Sequence, residues 1–233
     1  MISVILTKYK RTYLFNEQLE SIKNQSILVD DILICDNTVN NKGVWDRFRV
    51  AKDSVNDYVC IFDDDTIPGP KFLESCYNEM QKKEGLYGTR GLTFKSNKTY
   101  GTEINSNLFL ANFIETGWQV PNNNTNQVDY VTHSWFFKKK WLSYYWRVKQ
   151  IPLNFGEDMN FSYQLAKEGI DTFVPPHPIG NKDIWGSING DKYGDDGNGL
   201  WTENEGTFRR DMFSYFDELV SKDWKLINGS NLL

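Results

Sequence analysis

Hydrophobic and polar positions fall into regular blocks over the first third of the chain. Ser3 to Thr7 (SVILT) is a short apolar run rich in β-branched residues, as expected of a parallel strand buried on both faces. From Tyr13 to Lys23 the apolar residues Leu14, Phe15, Leu19 and Ile22 recur at helical spacing. Asp31 to Asp36 (DILICD) reads as a second strand, and Val44 to Val55 as a helix with Trp45, Phe48, Ala51 and Val55 on one stripe. Tyr58 to Phe62 (YVCIF) is a third strand that runs straight into Asp63-Asp64-Asp65. An amphipathic helix then follows from Phe72 to Lys82, opened by Pro68 and Pro70. Alternating strands and helices of this kind predict an open α/β fold around a mostly parallel sheet flanked by helices.

The second half is less regular. Asn122 to Asn126 is a polar loop, and Val128 to Val131 and Trp135 to Phe137 read as strand pieces around His133. Met159 to Glu168 reads as a helix ended by Gly169, Ile170 to Val174 as a last strand, and Phe208 to Leu226 as a final amphipathic helix. There is no internal repeat and no clear linker, so a single domain over residues 1–233 is expected.

Composition changes this picture little. The chain is 39% hydrophobic and 24% charged, which excludes a disordered chain or a fibre. The net charge of −5 gives no global basic field, so no nucleic-acid partner is expected. No apolar run approaches membrane-spanning length, and the amino terminus reads as a strand, not a signal peptide. Cys35, Cys60 and Cys76 sit in apolar runs and read as buried, reduced thiols, which points to a cytoplasmic location. With only His133 and His177 in the chain, carboxylates must carry any metal chemistry.

Ligands of open α/β sheets bind beyond the carboxyl ends of the strands. Three such ends carry polar groups here, namely Thr7-Lys8, Asp36-Asn37 and Asp63-Asp64-Asp65. The acidic triplet suits a divalent cation such as Mg²⁺ or Mn²⁺ with substrate phosphates, although Asp-Thr-x-Pro also looks like a helix-capping turn. Glu157 and Asp158 open a helix, where carboxylates either cap the dipole or supply a general base at a cleft mouth. The glycine-rich segment from Gly180 to Gly206 reads either as a plain connection or as a lid over a bound donor. In the lid reading, Trp185, Trp201, Asp183, Asp191, Asp195 and Asp196 would face sugar.

Taken in order, these pieces resemble the family 2 type of nucleotide-sugar glycosyltransferase. They are Arg11-x-x-Leu14, Leu19-x-Ser21-Ile22-x-x-Gln25-Ser26, Asp31 to Asn37, Tyr58 to Asp65, and Gly156-Glu157-Asp158 with Leu165 and Gly169. The resemblance covers residues 3 to about 177 and implies a single GT-A (Rossmann-like) domain. Residues 1–115 would be its nucleotide-sugar-binding half and residues 116–233 its acceptor-side half. It implies a UDP-sugar donor, a glycan or glycoprotein acceptor, and Mn²⁺ or Mg²⁺ as cofactor. It also implies that Thr7, Lys8, Tyr9, Arg11, Asp36, Asn37, Asp63 and Asp64 meet the nucleotide. Asp63 and Asp65 would hold the metal with His177, which otherwise reads as a rigid loop residue between prolines. His133, Trp135 and Glu157 would face donor sugar and acceptor, His133 having a purely structural reading as well. Asp158 would be the base of an inverting reaction.

The sequence departs from the family at Arg47-Phe48-Arg49-Val50-Ala51, where Asn- or Gly-rich sequence is usual. The membrane helices and aromatic acceptor motif of polysaccharide synthases are absent, so a small transferase adding one sugar is expected. In shortness and low basicity the chain is similar to compact domains encoded by large DNA viruses and phages, which would place it in a host cytoplasm. Two other readings compete. A sugar nucleotidyltransferase would need a glycine-rich loop after the first strand, and Thr7 to Arg11 has no glycine. A glycan-binding domain without turnover has no need of the acidic triplet together with Asp158.

Overall fold

The apolar run near the amino terminus becomes the central strand β1 (Ile2–Lys8), in which Ile2, Val4, Ile5 and Leu6 are fully buried. The computed structural model describes residues 1–96, 113–148, 155–193, 196–199 and 207–229, with side chains for all of these except 191 and 207–209. β1 lies between β2 (Val29–Asp36) and β3 (Tyr58–Phe62) and is parallel to both, with Ile5 beside Leu33 on one side and Ile61 on the other. Helix α1 (Phe15–Lys23) connects β1 to β2. Helix α2 (Asp46–Val50) is shorter than the periodicity predicts. It tightens into a 3₁₀ turn, Ala51–Asp53, that Ser54 closes by donating its Oγ hydrogen to the Ala51 carbonyl at 2.7 Å. Val55, expected on the buried stripe, is exposed as a result. Helix α3 (Phe72–Lys82) forms where its apolar spacing placed it.

The remaining strands are β4 (Gly85–Tyr87), β5 (Arg90–Phe94), β6 (Phe113–Gly117), β7 (Asn126–Val128), β8 (Tyr130–Thr132), β9 (Ser134–Lys138) and β10 (Asp171–Val174). Seven strands form the main sheet in the order β2-β1-β3-β9-β4-β10-β7. β9 runs antiparallel to β3 and β4, and β7 antiparallel to β10, so five of the seven strands point one way. The fold is therefore a single α/β domain with a mostly parallel central sheet flanked by helices, as expected. A second, antiparallel sheet β6-β5-β8 stands beside it, and the alternation of the first third gives no sign of it.

Two of the three hydrophobic clusters among the described residues follow from the two sheets. The larger packs the central strands against the helices, and Cys35, Cys60 and Cys76 lie in it as free thiols. The smaller joins Leu92, Phe94 and Tyr130 of the second sheet to Met159 of α4 (Glu157–Lys167) and to Phe213 and Phe216 of α5 (Thr207–Ser221). Asp129 pins this second core to the chain's last described turn. Its carboxylate accepts from the Phe94 amide at 2.6 Å and the Ile227 amide at 2.8 Å. Among the described residues no helix is long and apolar enough to cross a membrane.

Candidate active site

A cleft of about 390 Å³ opens over the carboxyl ends of β1 and β3. The acidic turn after β3 forms its floor. This turn is held from below by Gln18 of α1, whose side-chain amide donates to the carbonyls of Asp63 at 2.6 Å and Thr66 at 2.7 Å. A buried side chain satisfies the turn's backbone, which leaves the three carboxylates directed at other partners.

Each carboxylate has a different environment. Asp64 accepts from the Arg11 guanidinium at 3.0 Å, and Asp65 lies 3.3 Å from the same group. Asp63 is paired with Arg47, which also pairs with Glu157. Arg47 is buried, and its guanidinium lies 4.5 Å from the centre of the Trp135 ring. Burial raises Asp63 to about 6, against the opposing pull of Arg47 and with Asp65 adding to the rise. Burial also works against the Asp65 carboxylate, yet His133, Arg11 and Thr66 outweigh it and hold this group below its ordinary value.

Asp63, Asp65 and His133 form the one group of three potential metal ligands among the described residues, with one ligand atom from each lying within 4.8 Å of the others. The Nδ1 of His133 lies 3.6 Å from Asp65 and 3.8 Å from Asp63, too far for hydrogen bonds, and it has no hydrogen-bond partner although it is buried. Two carboxylates and an imidazole are a donor set that could hold a divalent cation. His133 itself is the joint between β8 of the small sheet and β9 of the large one. Its φ of +68° is a left-handed conformation that costs a non-glycine residue about 1–3 kcal/mol and tends to persist at functional sites.

Asp158 enters the cleft from the start of α4. Gly156 caps that helix at φ +83°, and an added Cβ would lie 2.6 Å from the Tyr215 ring, so both backbone and space require glycine. Burial raises the Asp158 carboxyl well above the ordinary range, and the neighbouring Glu157 charge adds to this. Leu92, Phe113, Tyr130 and Met212 add apolar lining to the cleft, which the Arg90–Glu115 ion pair also lines.

Of the residues singled out from sequence, Thr7, Tyr9, Arg11, Asn37, Asp63, Asp64, Asp65, His133, Glu157 and Asp158 line this one cleft. Four do not. Lys8 lies over the Phe15 ring, and its ammonium is 3.8 Å from Asp36. Asp36 is exposed and closes its own turn by accepting from the Thr38 hydroxyl and amide. Trp135 is a core residue at 1% exposure, with its indole N–H donated to the Val131 carbonyl at 3.1 Å. It supports Arg47 and is not a sugar platform.

His177 is the plainest correction. It is fully buried, one ring nitrogen is 2.7 Å from the Pro175 carbonyl, and the other accepts from the Gly186 amide at 3.0 Å. Both nitrogens are engaged, so neither is free for a metal. The ring instead ties the end of β10 to the glycine-rich segment. His177→Ala is expected to lower stability by about 1–3 kcal/mol by leaving the buried Gly186 amide unpaired. Urea unfolding measures this, and a Mn²⁺ titration should show no change in affinity.

Within the glycine-rich segment, Asn198 and Gly199 line the cleft, and Asp196 binds Arg11 beside it. Its carboxylate takes two hydrogen bonds from Arg11, at 2.7 and 2.9 Å, and one from Tyr13 at 3.1 Å. The Arg11 hydrogen bond holds this acid well below the ordinary range. Asp183 is exposed beside Lys71, and Trp185 packs near His177. Trp201, Asp195 and the Asp191 side chain lie outside the described residues. Sequence reasoning missed Arg47 as a site residue, although it stands where the family pattern is broken. It also missed Trp118, which no motif marks.

Comparison with known proteins identifies the family. Residues 17–146, more than half of the chain, match the family model "Glycosyl transferase family 2". No curated protein matches the sequence significantly. The crystal structure of S. aureus TarS 1-349 in complex with UDP is similar, with a TM-score of 0.50 and 13% identity over 75% of this chain and 57% of that one. The structure of S. aureus TarS 1-349 superposes with a TM-score of 0.48 at 13% identity, over 75% of this chain and 60% of that one. The chain thus spans less than two thirds of either structure, and at this identity the likeness shows a shared fold alone.

Proposed function

The chain belongs to glycosyl transferase family 2, and on that premise we propose that it moves a hexose-type sugar from a UDP-sugar to a hydroxyl of a glycan or glycoprotein acceptor, with inversion. The observation that carries this reading is one cleft lined both by Asp158 and by an acidic turn braced by two arginines. A phosphate-binding pole and a proton acceptor in one cleft are what transfer to a hydroxyl needs. UDP is bound in the similar TarS structure, which favours uridine in the donor.

Asp63 and Asp65 would hold Mn²⁺ or Mg²⁺, and the bound cation would neutralise charge on the departing diphosphate. Arg11 supplies positive charge at the same pole. Arg11 pairs with Asp196, and a diphosphate would present the same paired oxygens to the guanidinium fork. We read the glycine-rich segment as a lid on this basis, with its carboxylate giving way to the donor. In the same cleft, Asp158 accepts the proton of the acceptor hydroxyl as that oxygen bonds to the anomeric carbon and the bond to the diphosphate breaks. The apolar lining of the cleft excludes water beside the reacting hydroxyl.

A screen of nucleotide sugars for slow hydrolysis tests the activity and the donor without an acceptor. Release of UDP from one UDP-sugar is expected, and none from any nucleotide sugar would sink the reading. For the metal, calorimetric titration of UDP with and without Mn²⁺ should show tighter binding with the ion. Asp65→Ala should unfold cooperatively yet bind UDP equally weakly in both conditions. Unchanged metal-dependent affinity in that variant would remove Asp65 from the site.

A further inference from the structure

We infer that Trp118 is a positioning residue for the cation, setting the His133 ring so that its Nδ1 completes the donor set begun by Asp63 and Asp65. This rests on the metal dependence proposed above. The indole of Trp118 stacks on the His133 imidazole with ring centres 3.9 Å apart and planes 16° from parallel. Gly190 packs close to the same indole, where an added Cβ would lie 2.8 Å from Cε2 and 3.0 Å from Cδ2 and Cζ2. The backbone of Trp118 is fixed as well. The Trp118 amide donates to the Thr89 carbonyl at 2.9 Å, just after the turn point of the Gly117–Val120 bridge. An indole fixed at its backbone and closely packed against Gly190 has little room to swing aside, and it sets the plane of the imidazole stacked on it.

That orientation matters because of where Nδ1 points. It is buried without a hydrogen-bond partner, at 3.6 and 3.8 Å from the two carboxylates. Two donor atoms on one hard cation, each about 2.0–2.1 Å from it, lie roughly 3–4.2 Å apart. The observed separations fall in that window and outside hydrogen-bond range. Plain packing does not explain the arrangement. Both stacked residues have left-handed backbones, His133 at φ +68° and Trp118 at φ +53°, although both carry bulky side chains. Strain on both partners of one stack, next to an unpartnered nitrogen, marks a geometry kept for ligation.

The test is titration of the full chain with Mn²⁺ alone, followed by electron paramagnetic resonance and by the echo modulation from a coordinated imidazole nitrogen. The unsubstituted protein should bind Mn²⁺ with that nitrogen signature, and His133→Gln should lose it. Trp118→Ala should weaken Mn²⁺ binding by roughly 10–100-fold, the usual cost of removing a group that orients a ligand. Trp118→Phe, which keeps a flat ring on the imidazole, should restore most of the affinity. Gly190→Ala puts a methyl group against the indole and should weaken binding too, which keeps the inference testable if Trp118→Ala does not fold. His177→Ala should change neither affinity nor signature. Wild-type affinity and nitrogen signature in a folded Trp118→Ala, or in Gly190→Ala should that protein not fold, would overturn the inference alone, as would a signature that survives His133→Gln. Absence of Mn²⁺ binding by the unsubstituted protein would overturn the metal reading with it.

Discussion

Asp158→Asn is expected to lower turnover by about 10²–10⁴-fold, the usual contribution of a general base, while UDP affinity stays nearly unchanged. The amide keeps the size of the carboxyl group and can still accept from the Met159 amide, as the native side chain does at 2.7 Å. What it lacks is a basic oxygen. The pH dependence gives a second readout. A base works deprotonated, and burial together with the Glu157 charge raises the Asp158 carboxyl well above the ordinary carboxylate range. The rate should therefore climb with pH through that raised value, so the rising limb lies at higher pH than an exposed aspartate would give. In the Asn variant the limb should vanish from the residual activity. Equal turnover in the two proteins would return Asp158 to the role of a helix-start residue.

Arg47→Ala is expected to cost about 3–5 kcal/mol of stability, because it strands two carboxylates in a site built around one guanidinium. Asp63 and Glu157 both pair with Arg47, at 22% and 9% side-chain exposure. The guanidinium also lies over the Phe48 and Trp135 rings, so a second variant is needed to separate packing from charge. Arg47→Met keeps most of the apolar contact and loses the ion pairs. If charge is the main term, the two variants should lie within about 1–2 kcal/mol of each other in urea unfolding, since the unpaired carboxylates cost far more than the lost stem. Methionine at wild-type stability would show that the ion pairs contribute nothing net. Both variants should also lose activity, since Arg47 links the acidic turn to the helix that carries Asp158.

Much of this site was legible in the chain because its parts are local. A buried apolar run followed by acidic residues fixes a strand end and its charge, and two such ends on neighbouring parallel strands must share a rim. Thr7, Arg11, Asn37 and Asp63 to Asp65 came together on that argument. Glu157 and Asp158 were visible as a helix start, and the fold brought that start to the same cleft as the acidic turn. The small sheet was not legible, since β5, β6 and β8 are short pieces whose pairing depends on contacts far apart in sequence.

The two histidines show the division most clearly. Sequence order put His177 after the last strand, in a plausible place for a metal ligand, and gave His133 a place facing donor sugar and acceptor instead. Tertiary structure reassigned both. Burial of His177 between the Pro175 carbonyl and the Gly186 amide uses up both its nitrogens, whereas the turn between two sheets forces His133 into a left-handed backbone beside Asp63 and Asp65. Arg47 was visible only as a departure from a pattern, because nothing local reveals that one buried guanidinium bridges residues 16 and 110 positions away. The sequence by itself determined the main parallel strands, the acidic rim and the reactive residue types, through periodicity and charge. Which of those residues face one another was decided by packing, since hydrogen-bond partners and stacked rings are set by three-dimensional neighbours that the linear chain does not order.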